Sequence, residues 1–109
     1  MAFIEIDQIA VKEPFPGFKG KFFHSATMTI AHWNIKAGSE APVHTHVHEQ
    51  TVDVISGQLE FTLNGETRIL GPGQGCIVPS NVPHGAKAIT DVFVIDTFSP
   101  VREDYKTMT

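Results

Sequence analysis

Apolar and polar residues alternate along most of this chain. In "QLEFTL" (58–63), Leu59, Phe61 and Leu63 fall on one side and Gln58, Glu60 and Thr62 on the other. That period of two belongs to a half-buried strand. "TVDVIS" (51–56) puts Val52 and Val54 on one face. "TMTIAHWNI", from Thr27 to Ile35, is rich in β-branched residues, and "DVFVIDTF" (91–98) is the last clear strand. Asn64-Gly65 follows "QLEFTL" at once and predicts a two-residue hairpin into "ETRIL" (66–70). "GPGQG" (71–75) is a turn cluster, and "CIVP" (76–79) after it reads as a short buried strand. Helical periodicity is confined to one turn near Pro100 to Lys106. The spacing of turns predicts an all-β sandwich or barrel. We expect one domain over residues 1–109, with its barrel core at 27–98 and a tail at 99–109. Residues 1–26 read as an arm with edge strands, because Pro14 and Pro16 bar a central strand there.

Composition narrows the function classes. The net charge is −4 and no run of lysine or arginine offsets it. Nucleic acid is therefore not expected as a partner, since that binding is driven by phosphate neutralisation. The single cysteine, Cys76, excludes an internal disulfide and suits a reducing compartment; it reads as a strand residue. The start, "MAFIEIDQIA", has no basic residues and carries Glu5 and Asp7 within its apolar stretch. It does not read as a signal peptide, and no segment is long and apolar enough to span a membrane as a helix. The expectation is a cytoplasmic protein without a membrane partner.

The candidate chemistry sits in "HTHVHEQ" (44–50), which holds three of the six histidines. Imidazoles at alternate positions would repel when protonated and would bury polar nitrogens when neutral. Gly38 precedes His44 and His46, and Gln50 and Gly57 follow; a second run carries Gly73, Pro79 and His84. Both runs resemble the two motifs of the cupin superfamily, over roughly Ala26 to Phe98. Two departures stand out. The first motif usually has glutamate where this chain has Gln50, and the second usually has glycine and asparagine where it has Asn81 and Ala88.

The cupin resemblance implies a double-stranded β-helix, or jelly-roll barrel. It also implies that His44, His46, Gln50 and His84 hold one divalent transition metal inside it: nickel, zinc, iron or manganese. A divalent ion keeps the imidazoles neutral and uses their lone pairs. Gln50 would ligate through its amide oxygen. The competing reading is a set of partly exposed histidines on a polar edge. A turn is expected after His46, which places His48 at the rim rather than among the ligands, with Glu49 solvated beside it. His32 reads equally as a pocket residue or a satisfied core histidine, and His24 as surface.

Longer strings narrow the resemblance. "HTHVHEQ", "SGQLEFTLNGET", "VPHG" and "DTFSPVREDY" together resemble the KdgF family, small cupins of pectin and alginate degradation. The family implies conversion of 4,5-unsaturated monouronates, made by polysaccharide lyases, into the linear 4-deoxy-5-keto uronate. Its site beyond the metal is matched here by Asp96, Phe98 and Arg102. Asp96 is the expected acid–base group, at a strand end. Arg102 is expected to hold the substrate carboxylate in a bidentate pair, and Phe98 to pack on the sugar beside His48. The rival readings are an exposed Asp96, an Arg102 paired with Glu103 or Asp104 on the surface, and Phe98 as core filler. Two other functions use the same ligands: a cupin dioxygenase, and a non-catalytic small-molecule binder. The expected partners are a small anionic sugar-derived substrate and a second copy of the chain. The homodimer is expected from Phe15, Phe18, Phe22 and Phe23, more apolar surface than an edge arm needs, with the arm lying across the partner.

Overall fold

The computed structural model describes residues 2–108. Among them the alternating segments form ten strands: β1 (Lys12–Phe15), β2 (Phe18–His24), β3 (Thr29–Ile35), β4 (Glu40–His44), β5 (Glu49–Ser56), β6 (Leu59–Leu63), β7 (Glu66–Leu70), β8 (Gly75–Val78), β9 (His84–Ala88) and β10 (Val92–Ser99). One short α-helix, α1 (Glu103–Thr107), follows β10 among the described residues, and a 3-10 turn spans Ile6–Gln8. The strands build a six-stranded sheet, β1-β2-β3-β10-β5-β8, and a four-stranded sheet, β4-β9-β6-β7. All neighbours pair antiparallel. The inner faces enclose one core, a barrel as the turn spacing predicts and a jelly roll as the cupin resemblance implies.

β10 lies between β3 and β5 and alternates without a break. Val92, Val94, Asp96 and Phe98 point inward, while Phe93, Ile95 and Thr97 point outward. The hairpin at Asn64-Gly65 forms as predicted, with positive φ at both residues (49° and 83°), the twist that matches two paired strands. Gly57 is needed for a second reason. Its φ is +86°, and a Cβ there would sit 2.1 Å from the Asp91 carbonyl oxygen.

Two sequence expectations change. "CIVP" is not fully buried: β8 ends the six-stranded sheet, so Val78 is inside while Ile77 is 64% exposed. The arm is also less of an arm than its prolines suggest. Pro14 does sit in an edge strand, β1, but β2 lies inside the sheet and buries Phe18 and Phe22. Phe15 packs against the same core. Most of the apolar surface that suggested an arm across a partner is therefore spent within the chain, and Phe23 is the member of the set that faces outward. The tail is docked as well. Tyr105 of α1 is buried and stacks on Phe22, with ring centroids 4.4 Å apart.

The inward and outward assignments are testable. Leu59→Ala (2% exposed) should cost about 2–5 kcal/mol in urea unfolding of the metal-free protein. Ile69→Ala, 57% exposed, should stay within about 0.5 kcal/mol of wild type. Equal losses at the two positions would contradict the assignment.

Candidate metal centre

"HTHVHEQ" does not remain in one strand. β4 ends at His44 and β5 begins at Glu49, so the run crosses from one sheet to the other at one end of the barrel. His44 belongs to the four-stranded sheet, Gln50 to the six-stranded sheet, and His46 and His48 lie on the connection. His84 opens β9 and pairs in register with His44. Three rings therefore meet: His44 and His84 with centroids 4.3 Å apart, and His46 and His84 4.6 Å apart. One ring nitrogen from each lies within 4.8 Å of the others.

The outer nitrogens set the tautomers. Nδ1 of His44 lies 2.7 Å from the Pro42 carbonyl oxygen, that of His46 2.9 Å from His48 O, and that of His84 2.9 Å from Val82 O. A carbonyl only accepts, so each Nδ1 carries the proton and each Nε2 presents a lone pair. Burial lowers the pKa of His84 and His46, which favours their neutral form in the same sense. His84 is pushed down to about 4, mainly by burial. His46 is lowered too, by burial first and then by the Arg102 charge.

This geometry fits a metal ion. Nε2 of His84 is buried without a hydrogen-bond partner. Nε2 of His46 faces the Gln50 amide oxygen at 3.1 Å. The Gln50 amide nitrogen is turned away, donating to Asp96 Oδ2 at 3.0 Å. A lone pair and an amide oxygen thus confront each other with no proton between them, which calls for a cation. Imidazole nitrogens with one neutral oxygen suit a divalent transition ion.

The remaining predicted residues divide. Asp96, Phe98 and Arg102 line the same cavity as His44, His46, Gln50 and His84. Asp96 is not at a strand end but in the middle of β10, and at 8% exposure it is not a solvated carboxylate. Burial raises its pKa to about 7, against the pull of Trp33, Gln50 and Arg102 toward the charged form. Its Oδ1 has no partner. Arg102 is 9% exposed and pairs with Asp104 while lining the cavity, so neither sequence reading describes it alone. Its Nε donates to Asp104 Oδ1 at 2.9 Å and its Nη2 to Oδ2 at 2.7 Å. His48 is not brought to the cavity. It packs edge-on against His46, with centroids 5.5 Å apart, and its carbonyl holds that ring.

Several contributors were not singled out from the sequence. Tyr105 lies under the Arg102 guanidinium, 3.9 Å from ring centroid to Cζ. Thr29, fully buried, accepts the Arg102 backbone N–H at 2.9 Å. Trp33 lines the cavity beside Asp96. Inward alternation in "TMTIAHWNI" marks Thr29 and Trp33 as core but carries no sign of their polar roles. Tyr105 and Asp104 follow Arg102 too closely for any strand period to show where they point.

Residues 31–98 match the cupin domain family. The pectin degradation protein KdgF of Dickeya dadantii (strain 3937) is 37% identical over 70 residues, which are 62% of this chain and 64% of that protein. The chain thus spans less than two thirds of that curated relative. Across solved structures, KdgF from Halomonas sp. is 31% identical with a TM-score of 0.89, covering 96% of this chain and 98% of that one. An RmlC-like cupin from Shewanella frigidimarina NCIMB 400 is 30% identical with a TM-score of 0.90, covering 96% of both.

His84→Ala should abolish stoichiometric metal by elemental analysis while the far-ultraviolet spectrum keeps its β signature, since the strands are held by their own apolar core. A His44→Ala/His46→Ala double variant that still carried full metal would overturn the ligand assignment.

Proposed function

This chain belongs to the cupin domain family, and on that premise we propose that it opens and ketonises 4,5-unsaturated monouronates, giving the linear 4-deoxy-5-keto uronate. The observation that carries this reading is one shared cavity. The histidine–glutamine set, a buried carboxylate and a guanidinium line it together. The likeness to the pectin degradation protein of Dickeya dadantii supports the substrate class. Lyase products of pectin and of alginate share the reacting group.

The reaction is an isomerisation, so its protons must balance internally. The hydroxyl on carbon 1 loses a proton as the bond from carbon 1 to the ring oxygen breaks. The enol left at carbon 5 becomes a ketone when carbon 4 gains a proton. A divalent ion held by His44, His46, Gln50 and His84 would supply Lewis acidity for the oxygen at carbon 5 and the neighbouring carboxylate. Gln50 contributes no charge, so the donor set leaves the site cationic, which suits a chelating anion and favours this chemistry over the dioxygenase reading.

Among the described residues Asp96 is the one carboxylate lining the cavity, and its free Oδ1 makes it the group that takes and returns the proton. Its other oxygen is held by Gln50, which keeps the carboxyl beside the ligand cluster. Arg102 anchors the substrate carboxylate. Asp104 takes the Nε hydrogen and one Nη2 hydrogen, which leaves Nη1 and the second Nη2 hydrogen for the substrate carboxylate. Tyr105 and Phe98 both hold the guanidinium by cation–π contact, with ring centroids 3.9 Å and 4.8 Å from Cζ. Phe98, 2% exposed, walls the cavity between Arg102 and His46. His48 supports the site through its carbonyl.

Turnover is followed as loss of the unsaturated uronate's ultraviolet absorbance against its spontaneous decay. Asp96→Asn should lower kcat by roughly 10²–10⁴-fold, the usual share of an acid–base group. Arg102→Ala should mainly raise KM, because the carboxylate is bound in ground and transition states alike. A metal-loaded wild type no faster than the spontaneous reaction would end the uronate reading. Full activity in Asp96→Asn would move the proton transfer to another group.

A further inference from the structure

Position 50 departs from the glutamate usual in the first cupin motif, and the structure supplies a partner for that exchange. Gln50 and Asp96 are both buried. The Gln50 amide Nε2 donates to Asp96 Oδ2 at 3.0 Å, while Oε1 turns to His46 Nε2 at 3.1 Å. A side-chain amide can be turned either way about its last bond, and its two ends are nearly the same size. Its neighbours decide the direction here. A charged carboxylate oxygen only accepts, so the end of the amide that meets Asp96 is the nitrogen. The oxygen is thereby left for the histidine cluster.

Neither residue can step aside. Asp96 lies in the middle of β10, paired with β3 on one side and β5 on the other. Gln50 is the second residue of β5, opposite Phe98 on β10 and Val78 on β8. A glutamate at position 50 would set a second acceptor against Asp96 Oδ2 with no hydrogen between them. Two anions side by side and away from water are strongly unfavourable. Arg102 does not resolve the conflict, because it already gives two N–H donors to Asp104. This pair of positions therefore takes one carboxylate. At position 50 it would be a metal ligand. At position 96 it stands outside the ligand set, on the cavity wall, with Oδ1 free.

We propose that Asp96 is the positioning residue for the fourth ligand. By taking the Gln50 N–H it presents the amide oxygen to the metal, and it makes position 50 an amide in this chain. The inference rests on the metal reading of the site and not on the uronate reaction. It also accounts for how charge is divided: the donor set stays neutral, and the negative charge is kept on the group that moves the proton. Outer partners of metal ligands commonly change metal affinity by roughly 10–100-fold.

Two measurements test it, neither of them turnover. Zinc(II) affinity, read by competition with a chelating dye, should fall at least about tenfold in Asp96→Leu, where the amide loses the acceptor that directs it. Asp96→Asn should stay within about threefold of wild type, since its side-chain oxygen accepts the same N–H. Unchanged affinity in Asp96→Leu would overturn the positioning role, and so would an equal fall in the asparagine variant. The second measurement is urea unfolding of the metal-free chain in alkaline buffer. Gln50→Glu should raise the unfolding equilibrium constant at least about tenfold. Gln50→Glu/Asp96→Asn should recover most of that loss, because the asparagine amide donates to the glutamate and the contact is remade in reverse. No loss in Gln50→Glu, or no recovery in the double exchange, would overturn the claim that Asp96 makes position 50 an amide. A wild type that binds neither zinc nor nickel would end the metal reading instead, and the metal-free comparison would still decide the pair.

Discussion

The pairing of β10 with β5 is the constraint on which the site depends. In that register Asp96 lies opposite Val52 and Phe98 opposite Gln50. Asp96 and Gln50 are therefore diagonal neighbours on the inward face, close enough for the amide to reach the carboxylate. A slip of β10 by one residue would turn Asp96 and Phe98 outward, away from Gln50, and bring Ile95 and Thr97 in. The apolar alternation of β10 opposes that slip, because it would expose Val92 and Val94 with them. The hydrophobic pattern thus holds a polar arrangement that contributes little to stability by itself.

The buried polar residues Thr29, Gln50, His84, Asp96 and Arg102 are not scattered through the core. The cavity takes in four of them, and Thr29 supports Arg102 from beneath. Burying such groups costs free energy unless partners are found. Partners are provided for the outer atoms: carbonyl oxygens for each Nδ1, Asp96 for the Gln50 amide, Asp104 for Arg102. The inner atoms, His84 Nε2 and Asp96 Oδ1, are left without any. The apolar core carries the cost, and these two atoms belong to residues that line the cavity, where a ligand would satisfy them.

Two loops do the converging. The β4–β5 connection hands the histidine run from one sheet to the other, and the turn after β10 brings Arg102 back against Tyr105 and Phe98. Asp104 then takes two of the guanidinium's N–H donors, so the residue that looks like a rival for the substrate also aims what remains of Arg102.

Alternation in "QLEFTL", "TVDVIS" and "DVFVIDTF" determined the strands and their inward faces, because a side-chain period of two is a local property of extended backbone. Asn64-Gly65 determined its hairpin for the same reason. The spacing of His44, His46, Gln50 and His84 was legible through its resemblance to a family, and the structure brings those four together. Local pattern could not place the edges. Whether "CIVP" is covered on both faces depends on which strand lies beside it, and whether the arm joins the barrel depends on β3 accepting β2. Nor could it show Asp96 buried mid-strand, an Arg102 that both pairs with Asp104 and lines the cavity, or Tyr105 beneath it. Those relations join residues whose proximity is set by strand order and register. Such non-local contacts form only once the chain has closed on itself, so they are decided by the tertiary structure.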